Sequence, residues 1–149
     1  MEGINMLISG IMAIVSGFLM SVQGVFNTRV TEKAGLWFTT SIVQGTALVT
    51  CLLVLLFVKD ANLEGLKFVN KFYLLGGVMG AGITYGVIVA MGKLGPAYAI
   101  MFILVAQMIT GYAIELFGLF GTEKAGFMWT KLLGVAIMIG GIVLFQWKK

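Results

Sequence analysis

The chain has 149 residues, 60% of them hydrophobic and 11% charged, with a mean hydropathy of +1.04 and a formal net charge of +4. A soluble domain carries roughly 25% charged residues, and a chain this apolar cannot hide its surface from water in one core. The composition therefore excludes a water-soluble globule and makes lipid the solvent. The Lys and Arg residues stand at the ends of apolar runs, which is the pattern of a membrane anchor and not of a nucleic-acid surface.

About 20 apolar residues are needed to cross the hydrocarbon core as a helix, and five runs meet or approach this. The first, residues 4–26, is longer than the apolar region of a signal peptide. It also has Glu2 where such a peptide would be basic, so it reads as a span and not as a cleaved leader. It carries Gly3, Gly10, Gly17 and Gly24 at a spacing of seven, with Ser9, Ser16 and Gln23 one residue earlier; Asn27 follows Gln23 by four. The second run, 36–58, opens with Trp37 and holds Gln44 and Cys51. Cys51 has no partner in the chain and reads as a small buried hydrophobe.

The connection 59–71, "KDANLEGLKFVNK", mixes Leu63, Leu66, Phe68 and Val69 with charges. It reads either as a short amphipathic helix on the interface or as a plain loop. The third run, 72–91, contains two GxxxG spacings among Gly76, Gly77, Gly80, Gly82 and Gly86. The fourth, 96–117, begins at Pro96, which suits a first helical turn because its missing N–H would be unpaired there. The fifth, 127–147, has Trp129 and Trp147 at its two ends and Lys131 long enough to snorkel. All five runs are continuous and not alternating, which excludes barrel strands. The prediction is an all-α integral membrane protein: one domain, 1–149, of five transmembrane helices, without a linker or a soluble domain. Gly10, Gly17, Gly24, Gly80 and Gly86 are the expected helix-packing positions, since small residues let helices approach where lipid gives no hydrophobic drive. The same contacts permit helices to slide.

Five spans place the termini on opposite sides, and the basic residues should then fix the orientation. Lys59, Lys67, Lys71, Lys124 and Lys131 fall on one side; Arg29, Lys33, Lys93, Lys148 and Lys149 fall on the other. The bias is zero, so the chain can insert both ways. Two oppositely inserted copies would pair as an antiparallel, dual-topology homodimer of ten helices, the architecture many transporters build from inverted repeats. The competing reading is a single orientation fixed by a partner protein or by one dominant helix.

Depth along each span, at 1.5 Å per residue, sorts the polar residues. Gln107 lies about 16 Å past Pro96 and Gln44 about 12 Å past Leu36, both near the midplane, as is Ser16; Glu115 lies about 28 Å past Pro96, near the far interface. Gln107, Gly111 and Glu115 are four apart and share one side of the fourth helix. Polar residues at depth face a bundle interior or a wet cavity. The predicted substrate pathway is Gln107, Gln44, Glu115, Ser16 and Tyr112, joined by Gln23 and Asn27 if these line the cavity mouth, as the family resemblance given below implies. Each has a plainer reading that stays open. Gln107 and Gln44 would bond across helices, and Glu115 would pair with Lys131 or Lys93. Tyr85, Tyr98 and Tyr112 would pack or join the aromatic belt, Arg29 would be a simple anchor, and Gln23 and Asn27 would cap the end of the first helix.

The segments "GFLMSVQGVFNTRV" at 17–30, "SIVQGTALV" at 41–49, "KLGPAYAIMFILVAQMITGYAIELFGLFG" at 93–121 and "KLLGVAIMIGGIVLF" at 131–145 resemble the YdcZ family. That family, formerly a domain of unknown function, belongs to the drug/metabolite transporter superfamily. The resemblance covers essentially the whole chain. Its more specific marks are Gln23 four residues before Asn27, and Gln107 followed eight residues on by an acid and then Phe-Gly. The acid is Glu115, where members usually carry Asp. The family implies five helices per unit, in single, paired or fused ten-helix forms, and a cavity role for Gln23 and Asn27. It is distantly similar to the small multidrug resistance transporters, which carry a membrane-embedded Glu in their first helix. The predicted first span has no acid, which departs from a simple proton/drug antiport pattern.

The expectation is a small-solute transporter of the bacterial cytoplasmic (inner) membrane, working by alternating access. Its partners would be the bilayer, a second copy of itself and an uncharged or weakly polar solute. In that scheme Glu115 attracts cations at the mouth, or exchanges a proton if burial raises its pKa. The alternative is a non-transporting accessory or assembly subunit that binds another membrane protein. No cofactor or metal is expected: with no His, the commonest proton shuttle and most transition-metal sites are missing. An enzyme is not expected either, because no nucleophile stands at a useful spacing from a base.

Overall fold

The computed structural model describes residues 2–58, 62 and 64–147. Among them five α-helices are present: α1 (Glu2–Ala34), α2 (Leu36–Leu55), α3 (Gly76–Leu94), α4 (Pro96–Phe117) and α5 (Trp129–Gln146). With the 3-10 turn Lys71–Leu75 that leads into α3, five helical segments are long and apolar enough to cross a membrane. Large apolar side chains such as Ile14, Leu52, Val78 and Leu133 are more than half exposed on the single chain, the inside-out pattern of a protein solvated by lipid.

Helix α1 is longer than its hydropathy predicts. Its 33 residues span about 50 Å, well beyond a hydrocarbon core of about 30 Å. The extension, Asn27 to Ala34, is polar, and four of its eight residues (Arg29, Glu32, Lys33 and Ala34) are good helix formers. Arg29 and Glu32 pair across one turn at 3.2 Å, and Lys33 sits in the last turn, where a cation complements the helix dipole. The helix stops at Gly35, whose φ of 84° and ψ of 156° suit only glycine. The end of α3 repeats this joint. Gly95 has φ 80° and ψ 160°, and each glycine N–H donates to the carbonyl four residues back (Thr31 and Met91) at 3.0 Å. Both glycines follow a Lys by two residues, Lys33 and Lys93.

Of the connection expected on the interface, residues 59–61 and 63 lie outside the described residues, as do Met1, Lys148 and Lys149. What is described is a single 3-10 turn, Gly65–Lys67, followed by an exposed Phe68. Asn70 then accepts from the Phe72 N–H at 3.1 Å and opens the turn before α3.

The chain divides into two compact units, Met1–Pro96 and Ala97–Lys149. In the first, α1, α2 and α3 pack pairwise as an up-down-up bundle. The direction follows from the pairings. Gly24 and Thr28 of α1 meet Val87, Met91 and Gly92 of α3 in parallel order, whereas Trp37 and Gln44 of α2 meet Tyr85 and then Thr84 and Gly80 in antiparallel order. Thr39 and Thr40 are buried, and their hydroxyls donate to the Gly35 and Leu36 carbonyls at 2.8 and 3.0 Å, so burial leaves neither unsatisfied. The Trp37 and Tyr85 rings lie 5.1 Å apart between α2 and α3.

In the second unit, the chain leaving α4 folds back onto that helix's end. Gly118 takes the left-handed conformation after the last turn. The Ala125 N–H donates to the Glu115 carbonyl at 2.9 Å, and the Thr122 hydroxyl donates to the Leu119 carbonyl at 2.9 Å. The first of these contacts serves a carbonyl of the last turn, where a helix runs out of partners of its own. Met128 is extended and α5 starts at Trp129, two residues later than the apolar run suggests, because the Met128 N–H is held by the Tyr112 hydroxyl at 3.0 Å.

Candidate functional site

Between α1 and α2 runs an open cleft of about 640 Å³. From α1 it takes Gln23, Asn27 and the apolar Leu19, Val22 and Phe26; from α2 it takes Thr46, Thr50, Cys51, Val43 and Ala47. The two helices run antiparallel from the Gly35 joint. The Asn27–Val43 end of the cleft is therefore about 12 Å from the joint and the Leu19–Cys51 end about 24 Å. This places the cleft across the middle of the 20-residue helix α2.

The polar groups of the cleft differ in what they offer. Thr46 and Thr50 donate their hydroxyl hydrogens to the Val43 and Thr46 carbonyls at 3.0 and 2.8 Å, so they turn only acceptor lone pairs outward. Asn27 is 8% exposed, and among the described residues its side-chain amide has no hydrogen-bond partner. Gln23 is exposed one turn away. Among the described residues, no ionisable carboxylate or amine lines the cleft. Because α1 continues to Ala34, Gln23 and Asn27 lie inside the helix and cap nothing. Cys51, expected to be buried, is exposed at the cleft's far end.

The other predicted residues fall in different places. Gln44 points at α3: its amide nitrogen is 3.5 Å from the Thr84 hydroxyl and would lie 3.3 Å from a Cβ at Gly80. Ser16 is exposed, and its hydroxyl donates to the Met12 carbonyl at 2.8 Å. In the second unit, Gln107 and Gly111 are exposed on α4, and a Cβ added at Gly111 meets nothing within 4 Å. One turn on, Glu115 accepts from Lys131 at 2.5 Å, with both side chains more than a third exposed. Lys131 also sits 5.2 Å from the centre of the Tyr112 ring. The structure thus gathers Gln23 and Asn27 into one cleft and Tyr112, Glu115 and Lys131 into one cluster, and it sets Gln44 against α3.

Among the glycines, Gly24 is packed hard against Met91 and Val87 and Gly80 against Gln44. At Gly10, Gly17 and Gly86 an added Cβ meets nothing within 4 Å. Thr46, Thr50 and Phe26 were not singled out from the sequence. The signal for the two threonines was present, since they are four apart and Thr46 stands eleven residues beyond Gly35, where Gln23 stands twelve before it.

A family model described as "Putative inner membrane exporter, YdcZ" matches residues 8–144. That stretch includes every residue of the cleft and of the α4 row. Comparison with curated proteins and with solved structures gave no match.

Proposed function

The chain belongs to the YdcZ family of membrane transporters, and from that premise we propose that it exports a small uncharged or weakly polar solute by alternating access, as an antiparallel pair of copies. The family match over residues 8–144, with five helices able to span, makes it a multi-pass protein of the inner membrane, and this observation carries the reading. Two features support the paired form. The ten Lys and Arg residues divide five and five between the two sides. The Gln107–Gly111 row of α4 is uncovered on the single chain, although polar groups at depth favour a protein or aqueous neighbour.

In this mechanism each copy supplies half of a pathway, and the two rock against each other around a shared centre. Gln107 from each copy contributes hydrogen bonds near the midplane. Gln44 braces α2 against α3, and the Glu115–Lys131 pair stands at each mouth with its charges mutually compensated. The test is transport by purified protein in sealed vesicles, with Gln107→Leu as the variant. Transport should fall at least roughly tenfold, since an amide that would bond the solute is replaced by a group that cannot hydrogen-bond, while dimerisation is unchanged. Unchanged transport and solute preference would make Gln107 a packing residue and remove it from the pathway. Purification that yields this chain only with a different membrane protein would favour an accessory subunit instead.

A further inference from the structure

We infer that the α1–α2 cleft is a solute-binding site of each copy in addition to the Gln107 centre, and that it selects an uncharged amphipathic molecule whose hydrogen-bonding head seats on Asn27 and whose apolar body lies along the cleft toward Cys51. This rests on the export reading and assigns it a substrate class. The carrying observation is Asn27. Asn27 is 8% exposed, lines the cleft and hydrogen-bonds no other described residue, so the part of its amide that opens onto the cleft is free to bond a solute. It borders an open space of about 640 Å³, within the usual range for small-molecule sites.

The chemistry of the lining sets the class. Asn27 offers both a donor and an acceptor, and Gln23, one turn away, offers the same pair. Thr46 and Thr50 offer acceptors only, because their hydrogens are already given to carbonyls. A head that both donates and accepts, such as a primary amide or a hydroxyl, satisfies this set. A charged head does not, since no counter-charge lines the cleft and an unpaired ion out of water is heavily penalised. The rest of the lining (Leu19, Val22, Phe26, Val43 and Ala47) is apolar and suits a hydrocarbon or aromatic body.

The chain's single cysteine provides the reporter, because Cys51 is exposed at the cleft's far end. The experiment follows the rate at which a fluorescent maleimide labels Cys51 in the purified, reconstituted full chain. Three ligands with equal ten-carbon chains compete: decanamide, decanoate and decyltrimethylammonium. Decanamide should slow labelling about five- to tenfold, the effect of a hydrogen bond or two, and the two charged ligands should slow it far less. Asn27→Leu should label at the unprotected rate with or without decanamide. Its unprotected rate and its elution as a single species would show that it is folded. Asn27→Gln, which keeps the amide, should restore part of the protection. Equal slowing by all three ligands, or protection that survives in Asn27→Leu, would overturn the assignment. Export by this chain with no protection of Cys51 would place the solute elsewhere and leave the export reading standing. Protection without any transport would do the reverse.

Discussion

Gly24 shows how one position decides a helix contact. An added Cβ there would lie 2.5 Å from the Met91 terminus and 3.1 Å from Val87. Gly24→Leu should therefore destabilise the bundle by about 1–3 kcal/mol, as overpacking does. Thermal unfolding in detergent would check it. Gly24→Ala should cost less, because the end of Met91 is flexible. A Gly24→Leu midpoint equal to wild type would contradict the packing described. The seven-residue glycine spacing announced close contacts on this helix, but it could not say which glycine meets a neighbour. Gly10 and Gly17 have the same spacing and open space beside them. The difference lies in what α3 presents, which no local pattern records. Asn27 was legible as a polar residue at the end of an apolar run. Its burial was not, because burial depends on what the neighbouring helices present. The partner of Glu115 was one of two that the sequence offered, Lys131 and Lys93. The choice of Lys131 is made where the segment after α4 returns through Tyr112 and Met128.

Helix existence was legible from hydropathy and helix ends were not. Hydropathy reports where lipid is, so it lost α1 at Phe26, although Arg29, Glu32 and Lys33 carry the helix on to Ala34. The actual stop is conformational. Gly35 and Gly95 hold φ values of 84° and 80° with ψ of 156° and 160°, an essentially glycine-only region that costs a residue with a Cβ about 1–3 kcal/mol. Gly35→Ala and Gly95→Ala should each lower stability by about that amount. Gly86→Ala, in a helix interior with free space beside it, should raise stability by up to about 1 kcal/mol. Thermal midpoints of the three variants side by side check this. If Gly35→Ala proved no worse than Gly86→Ala, the joint would not depend on glycine. The repetition of a Lys, a residue and a positive-φ Gly at both joints was present in the sequence. It becomes meaningful only once the backbone angles are known.

For the whole molecule, composition alone established a membrane protein, because 11% charge and a mean hydropathy of +1.04 leave no other solvent. The number of spans followed from run length. The family followed from residues spread over 8–144. Pairing between copies is a different kind of question, because it concerns surfaces that a single chain leaves open. The proposed oppositely inserted second copy would cover the open α4 row and is compatible with the equal division of ten basic residues. The direct measurement is the sidedness of the C-terminus, read from a terminal tag in sealed cells and in inverted vesicles. An antiparallel exporter predicts comparable labelling from both sides. Labelling from one side only would contradict it, and the other half of the pathway would then have to come from a different chain.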